Sequence, residues 1–246
     1  MNEGQPPRPA NAERIVAINQ GKRRLSMDLP RPPALTDEDL ARSLSDGQLV
    51  LDTRSSAAFG AGHVPGSYHV HLSSPQFEQR VGWVTPPDVP LALVLERDSD
   101  MEQAVLALAF LGLDQRVMGY LAGGVGAWIA AGSAVATLSQ VSVHGLDRSL
   151  RDGGGWRVLD VRESDEWDEG HVEGACHMSY KELGERLTEL PLEPDEELAV
   201  VCGGGVRSST ACSILLRHGF ERVHNVTGGM SAWTAAGLPL ARSGAV

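Results

Sequence analysis

The sequence predicts an α/β protein of two small tandem domains, each built on a mainly parallel sheet flanked by helices. Three observations lead there: length, an internal repeat, and alternation of strand-like with helix-like periodicity. The chain has 246 residues, which suits two domains of roughly 100–120 residues each. Leu49-Val50-Leu51-Asp52-Thr53-Arg54 reads like Arg157-Val158-Leu159-Asp160-Val161-Arg162, and Gly62-His63-Val64 like Gly170-His171-Val172, both 108 residues apart. Gly-Gly-x-x-Ala-Trp-x-Ala-Ala-Gly then occurs as Gly123 to Gly132 and again as Gly228 to Gly237, 105 residues apart. Three matches in one order mark a tandem duplication. The boundary falls near Ala136 to Val141, which gives an extension over 1–33 and domains over 34–137 and 138–246.

Taken along the chain, Pro6-Pro7-Arg8-Pro9 and Pro30-Arg31-Pro32-Pro33 read as extended linkers around a short helix at Glu13 to Asn19. Thr36 with Asp39 forms a capping-box signal for a helix through Leu44, which Asp46-Gly47 stops. Gln48 to Leu51, Leu91 to Leu95, Val158 to Val161 and Leu198 to Val201 are short apolar runs that predict buried strands. Gly153-Gly154-Gly155 predicts a turn; no Lys-Ser/Thr follows it, so it is not a phosphate loop. Ser208 to His218 places Ala211, Ile214 and Leu215 on one helix face, with Gly219 as the stop.

Composition narrows the function classes. With 42% hydrophobic and 22% charged residues the chain is too apolar for disorder, and no apolar run nears the roughly 18 residues of a membrane span. The opening Met1 to Ala10 lacks the apolar core of a secretory signal, so a cytoplasmic location is expected. A net charge of −11 repels a phosphate backbone, and Lys22-Arg23-Arg24 is too short for a nucleic-acid patch. Cys176, Cys202 and Cys212 match no zinc-ligand spacing, and at least one thiol stays free. His69 and His71 would share a strand face, but no third or fourth ligand is apparent, so no metal site is expected.

The chemical centre is the turn Cys202-Gly203-Gly204-Gly205-Val206-Arg207-Ser208, between a buried strand and a helix start. Open parallel sheets bind ligands at that strand end. Three glycines let successive N–H groups curl inward, and the helix dipole adds positive potential at the same place. Such a cradle holds an anion: a Cys202 thiolate, its persulfide or a bound oxyanion. Arg207 adds a full positive charge and Ser208 a hydroxyl. The competing reading is a small buried hydrophobe in an ordinary turn; an Arg and a helix start in the same turn favour reactivity.

These residues resemble the rhodanese superfamily of sulfurtransferases in tandem form, over about residues 34 to 240. The resemblance rests on Leu159-Asp160-Val161-Arg162, Gly170-His171-Val172-Glu173-Gly174-Ala175, the Cys202 to Ser208 loop, and Gly228-Gly229 through Trp233. It implies a five-stranded parallel sheet in each domain and a cysteine that takes sulfane sulfur from thiosulfate or a low-molecular-weight persulfide. A thiol or cyanide would then collect the sulfur. By position, Cys202 would be the nucleophile, Gly203, Gly204, Gly205, Val206 and Arg207 would supply loop amides, Arg207 a charged wall, and Asp160 with Arg162 a buried supporting pair. Related phosphatase loops place five residues between Cys and Arg; here four separate Cys202 from Arg207, a ring that suits sulfur. No cofactor is implied. The alternative is a non-catalytic relay or docking module that stores sulfur for a partner.

The first copy is expected to be silent. Aligning Leu91 to Val94 with Leu198 to Val201 puts Leu95 where Cys202 stands, followed by Glu96, Asp98, Asp100 and Glu102 around a single Arg97. That charge would repel anionic donors, which leaves packing or a partner contact as this domain's job. His63 and His171 read as structural, Trp128 and Trp233 as core anchors, and Cys176 and Cys212 as packed thiols. Glu163, Asp165, Glu166, Asp168 and Glu169 read as a solvated helical face that could order Arg162. The N-terminal stretch and Gly82-Trp83-Val84-Thr85-Pro86 are similar to the region after a metallo-β-lactamase-fold domain in fusion proteins of persulfide metabolism, although the HxHxDH metal signature is absent. That likeness points to a persulfide donor and a persulfide-metabolising partner protein.

Overall fold

The computed structural model describes Gln20 and residues 31–242. The helix expected at Glu13 to Asn19 lies outside them. Two compact units divide between Ala136 and Thr137.

The first unit runs β1 (Ala34–Leu35), α1 (Asp37–Ser45), β2 (Leu49–Asp52), α2 (Ser56–Ala61), β3 (Tyr68–His69), α3 (Phe77–Val84), β4 (Leu91–Val94), α4 (Met101–Ala109), β5 (Val117–Leu121) and α5 (Gly124–Ala130). The second runs β6 (Ser139–Ser142), α6 (Val143–Arg151), β7 (Arg157–Asp160), α7 (Ser164–Glu169), β8 (Cys176–His177), α8 (Leu183–Arg186), β9 (Leu198–Val201), α9 (Val206–Arg217), β10 (Val223–Thr227) and α10 (Gly229–Ala235). Each unit is an α/β domain on a five-stranded sheet, ordered β1-β5-β4-β2-β3 and β6-β10-β9-β7-β8. All neighbouring strands are parallel.

The middle strands are apolar because helices cover both faces of the sheet. All four residues of β2, β4 and β9 are buried. α1 opens on the expected capping box, with the Thr36 side chain accepting from the Asp39 N–H and the Asp39 side chain from the Thr36 N–H. One core gathers Leu40, Val50, Val94, Leu121 and Trp128, and another Leu146, Val158, Val201, Val226 and Trp233, each within its own unit. The two tryptophans are tied down as well as buried, their Nε1–H groups donating to the carbonyls of Ala134 and Pro239.

Two expectations change. β3 ends at His69, so His71 does not share a strand face with it. Instead His69 is fully buried and bonds the Arg54 carbonyl through Nε2 at 2.9 Å. Cys176 is only half-buried, because it lies on the edge strand β8, with Arg157 Nη2 3.6 Å from its sulfur. Cys212 is the fully buried thiol. No helix among the described residues is long and apolar enough to cross a membrane.

Candidate active site around Cys202

β9 is the central strand of the second sheet, and Cys202 is the first residue past its carboxyl end. Its neighbour in β7 carries the supporting pair: Asp160 stands opposite Val201 in register. Arg162 Nε donates to both Asp160 oxygens at 3.0 Å, and Nη2 donates to Oδ2 at 2.7 Å and to the Gly170 carbonyl at 2.7 Å. Both side chains are buried, so Arg162 braces the strand end through Asp160.

The loop turns as its glycines require. Gly205 sits at φ 94°, a left-handed conformation open to glycine at little cost, and from there α9 begins at Val206. This turn points the Gly205 N–H at the Cys202 Sγ, 3.1 Å away. Ser208, in the first turn of α9, brings its Oγ to 3.3 Å from the same sulfur; its own proton goes to Asn225, so here the oxygen accepts from the Cys202 thiol. Cys202 itself is 1% exposed. On the other side, the Cys202 and Gly203 carbonyls accept from the Met230 and Ser231 N–H groups at 2.7 and 2.9 Å. Gly204 has open space where a Cβ would stand. Gly205 and Ser208 thus reach the sulfur, whereas Gly203 is tied to α10.

Sequence reasoning missed two residues of this site and put a third on a solvated face. Asn225, on β10 and 1% exposed, accepts the Ser208 hydroxyl proton on Oδ1 at 2.6 Å. Its Nδ2 donates to Gln140 Oε1 at 2.9 Å and to the Gly205 carbonyl at 3.2 Å. Gln140 and Asn225 stand side by side in the β6–β10 register, which explains their contact. The third is Glu166 on α7, whose carboxylate accepts from Arg207 Nη1 at 2.6 Å and Nη2 at 2.7 Å. The acidic run after Arg162 is therefore not a uniformly solvated face, and it orders Arg207 rather than Arg162. The available signal was an Asn between Val223 and Val226, close before the Gly228-Gly229 pair, and an acidic residue whose helical phase turns it toward the loop.

Electrostatics divide the thiols. Burial, and secondarily the charge of Cys202, push the Cys212 thiol well above its ordinary range and keep it protonated. The Glu166 carboxyl is held below its usual range, chiefly by the Arg207 hydrogen bonds. Arg207 is raised in turn by Glu166 first, with the Cys202 charge contributing. In this arrangement, an anionic sulfur on Cys202 would have the Gly205 N–H as donor and the Arg207 guanidinium nearby.

The first unit lacks this arrangement. Leu95 is buried at the equivalent position past β4, and the Asp98 carboxylate accepts the Gly123 N–H at 3.2 Å. A cavity of about 290 Å³ there is lined by Arg54, Glu96, Arg97 and Asp100 among others.

The Rhodanese-like domain family matches residues 36–131 and 143–236. Among curated proteins, the chain is 30% identical over 98 residues to YrkF of Bacillus subtilis (strain 168), which is named as a candidate sulfur carrier protein; this covers 40% of the chain and 52% of YrkF. The chain thus spans about half the length of that relative. It is 29% identical over 103 residues to a sulfurtransferase of Allochromatium vinosum, covering 42% of the chain and 94% of that protein. It is 30% identical over 104 residues to thiosulfate sulfurtransferase GlpE of Actinobacillus pleuropneumoniae serotype 3, with the same two coverages. Among solved structures, the Rhodanese-like domain of the Anabaena protein Alr3790 aligns at TM-score 0.40 and 32% identity, over 42% of this chain and 79% of that one. A thiosulfate sulfurtransferase of Pseudomonas aeruginosa aligns at TM-score 0.39 and 23% identity, over 85% of this chain and 43% of that one. Two family matches, one on each five-stranded sheet, establish that the chain belongs to the Rhodanese-like domain family and carries that domain twice in tandem.

Proposed function

We propose that the chain is a sulfurtransferase whose single working site is Cys202. The observation that carries this reading is a sulfur at the carboxyl end of the central strand, 3.1 Å from the Gly205 N–H and 3.3 Å from the Ser208 hydroxyl. The roughly 30% identity to GlpE and to the Allochromatium sulfurtransferase supports it.

The chemistry is a two-step transfer. The Cys202 thiolate attacks the outer sulfur of the donor; an S–S bond forms to Cys202 as the donor's own bond to that sulfur breaks. The electron pair leaves with sulfite from thiosulfate, or with a thiolate from a persulfide. Cyanide or a thiolate then attacks the outer sulfur, and Cys202 departs as the thiolate it was at the start. The Gly205 N–H stabilises the charge on sulfur at each stage, and Ser208, whose own proton goes to Asn225, accepts from the Cys202 thiol in the resting site. The first unit has no cysteine, and we read it as non-catalytic, kept for packing or for contact with a partner protein.

The test is thiocyanate production from thiosulfate or glutathione persulfide with cyanide as acceptor. Repeated turnover, lost at least a hundredfold in Cys202→Ser, is the expected result. A single stoichiometric release would instead favour a sulfur relay serving a partner. Undiminished turnover by Cys202→Ser would overturn the assignment of the nucleophile.

A further inference from the structure

Arg207 is the only cationic residue between Cys202 and Ser208, and a single carboxylate holds both of its terminal nitrogens. That carboxylate is itself fixed: Glu166 Oε2 also accepts from the Glu163 N–H at 3.3 Å. The pair is shielded, with side-chain exposures of 19% for Arg207 and 32% for Glu166. Two neighbouring cations are committed in the same way. Arg162 is paired with Asp160, and Lys181 Nζ lies 3.1 Å from Glu163 Oε1. Each of these three cations has a carboxylate partner, and Arg207, the one whose charge acts on Cys202, meets an incoming anion already paired.

From this pairing we propose that Glu166 is a specificity-determining residue that disfavours compact dianionic sulfur donors and leaves the site to thiol persulfides. The proposal rests on the sulfur-transfer reading above and refines its donor. Thiosulfate concentrates two negative charges beside the sulfur it gives up. To gain from Arg207 it must displace a bidentate carboxylate or sit beside it, and either course loses most of the attraction. A thiol persulfide brings one charge to the reacting sulfur and depends less on an uncompensated guanidinium. In the first unit the same position of the helix after the first buried strand is Ala58, and the second residue of α4, where α9 has Arg207, is Glu102, so this clamp belongs to the cysteine-bearing copy.

The test compares wild type, Glu166→Gln, Arg207→Gln and the double variant through two ratios. One is the rate of Cys202 alkylation by iodoacetate over that by iodoacetamide, read by peptide mapping. The other is kcat/KM for thiosulfate over that for glutathione persulfide, with cyanide as acceptor. Glu166→Gln should raise both ratios about tenfold, the effect of unmasking one charge at close range, and added salt should shrink the rise. Arg207→Gln should lower both, and the double variant should return near wild type. Ratios within twofold of wild type in folded Glu166→Gln would overturn the proposal and leave Glu166 as a brace for Arg207. If Glu166→Gln does not fold, Arg207→Gln decides: an unchanged alkylation ratio there would overturn it equally. Absence of thiocyanate from wild type with either donor would count against the sulfur-transfer reading, while the alkylation ratio still decides the charge claim.

Discussion

His69 is fully buried, with its Nε2 on the Arg54 carbonyl and its ring 4.6 Å from that of Phe59. Burial holds its imidazole neutral, with a pKa lowered to about 4 against the attraction of nearby Asp52 and the bond to the Arg54 carbonyl; the charges of His71 and Arg54 act weakly in the same direction as burial. His63, stacked on Phe59, is pushed down by burial too. The unfolded chain takes up protons near pH 6.5 that the folded chain refuses until lower pH. Stability is therefore complete above about pH 6.5 and declines as pH falls toward 4, by about 3 kcal/mol from His69 alone. Denaturant unfolding of wild type and His69→Gln across that range should show a pH slope that the variant partly removes; identical slopes would contradict it. At this scale, legibility tracked adjacency in sequence. Cys202, Gly205 and Ser208 fall within one turn, so a local pattern named them. Glu166 lies 41 residues from Arg207, and Asn225 lies 17 from Ser208, so their contacts emerge only once β7, β10 and their helices are in place.

The loop and the start of α10 are one packed element. A Cβ on Gly229 would stand 2.1 Å from the Cys202 carbonyl oxygen and 2.8 Å from the Gly203 carbonyl carbon, at a left-handed φ of 51°. Gly229→Ala should cost about 3 kcal/mol or more, from steric overlap and backbone strain together. Because the displaced atoms belong to Cys202, sulfur loading should fall with stability. Gly204→Ala meets nothing within 4 Å and should change stability by no more than about 0.5 kcal/mol. Thermal unfolding and Cys202 alkylation rates of the two variants check this; equal behaviour would contradict the packing described. Strand and helix types were legible because short continuous apolar runs alternate with period-3.6 patterns. Element ends were less so: Leu95, read as the end of a strand, lies just beyond β4, and His71 beyond β3. An apolar or β-prone residue continues a pattern in sequence even where the ladder has stopped.

Across the molecule, duplication produced two sheets of the same strand order with different chemistry at the same strand end. The second unit places a cysteine, three glycines and an arginine there; the first places Leu95, an aspartate on the Gly123 N–H, and further carboxylates. The repeat was readable because its anchors are glycines, histidines and tryptophans with fixed geometric jobs, such as His63 and His171, each bonded through Nδ1 to a carbonyl four residues earlier. What separates the copies lies between those anchors, where lengths and charges have changed. The account stands or falls on where sulfur goes. Intact-mass and peptide-mass spectrometry after treatment with glutathione persulfide should find one added sulfur atom, confined to the peptide that contains Cys202. Sulfur on Cys176 or Cys212 with Cys202 unmodified, or none on any thiol, would contradict it.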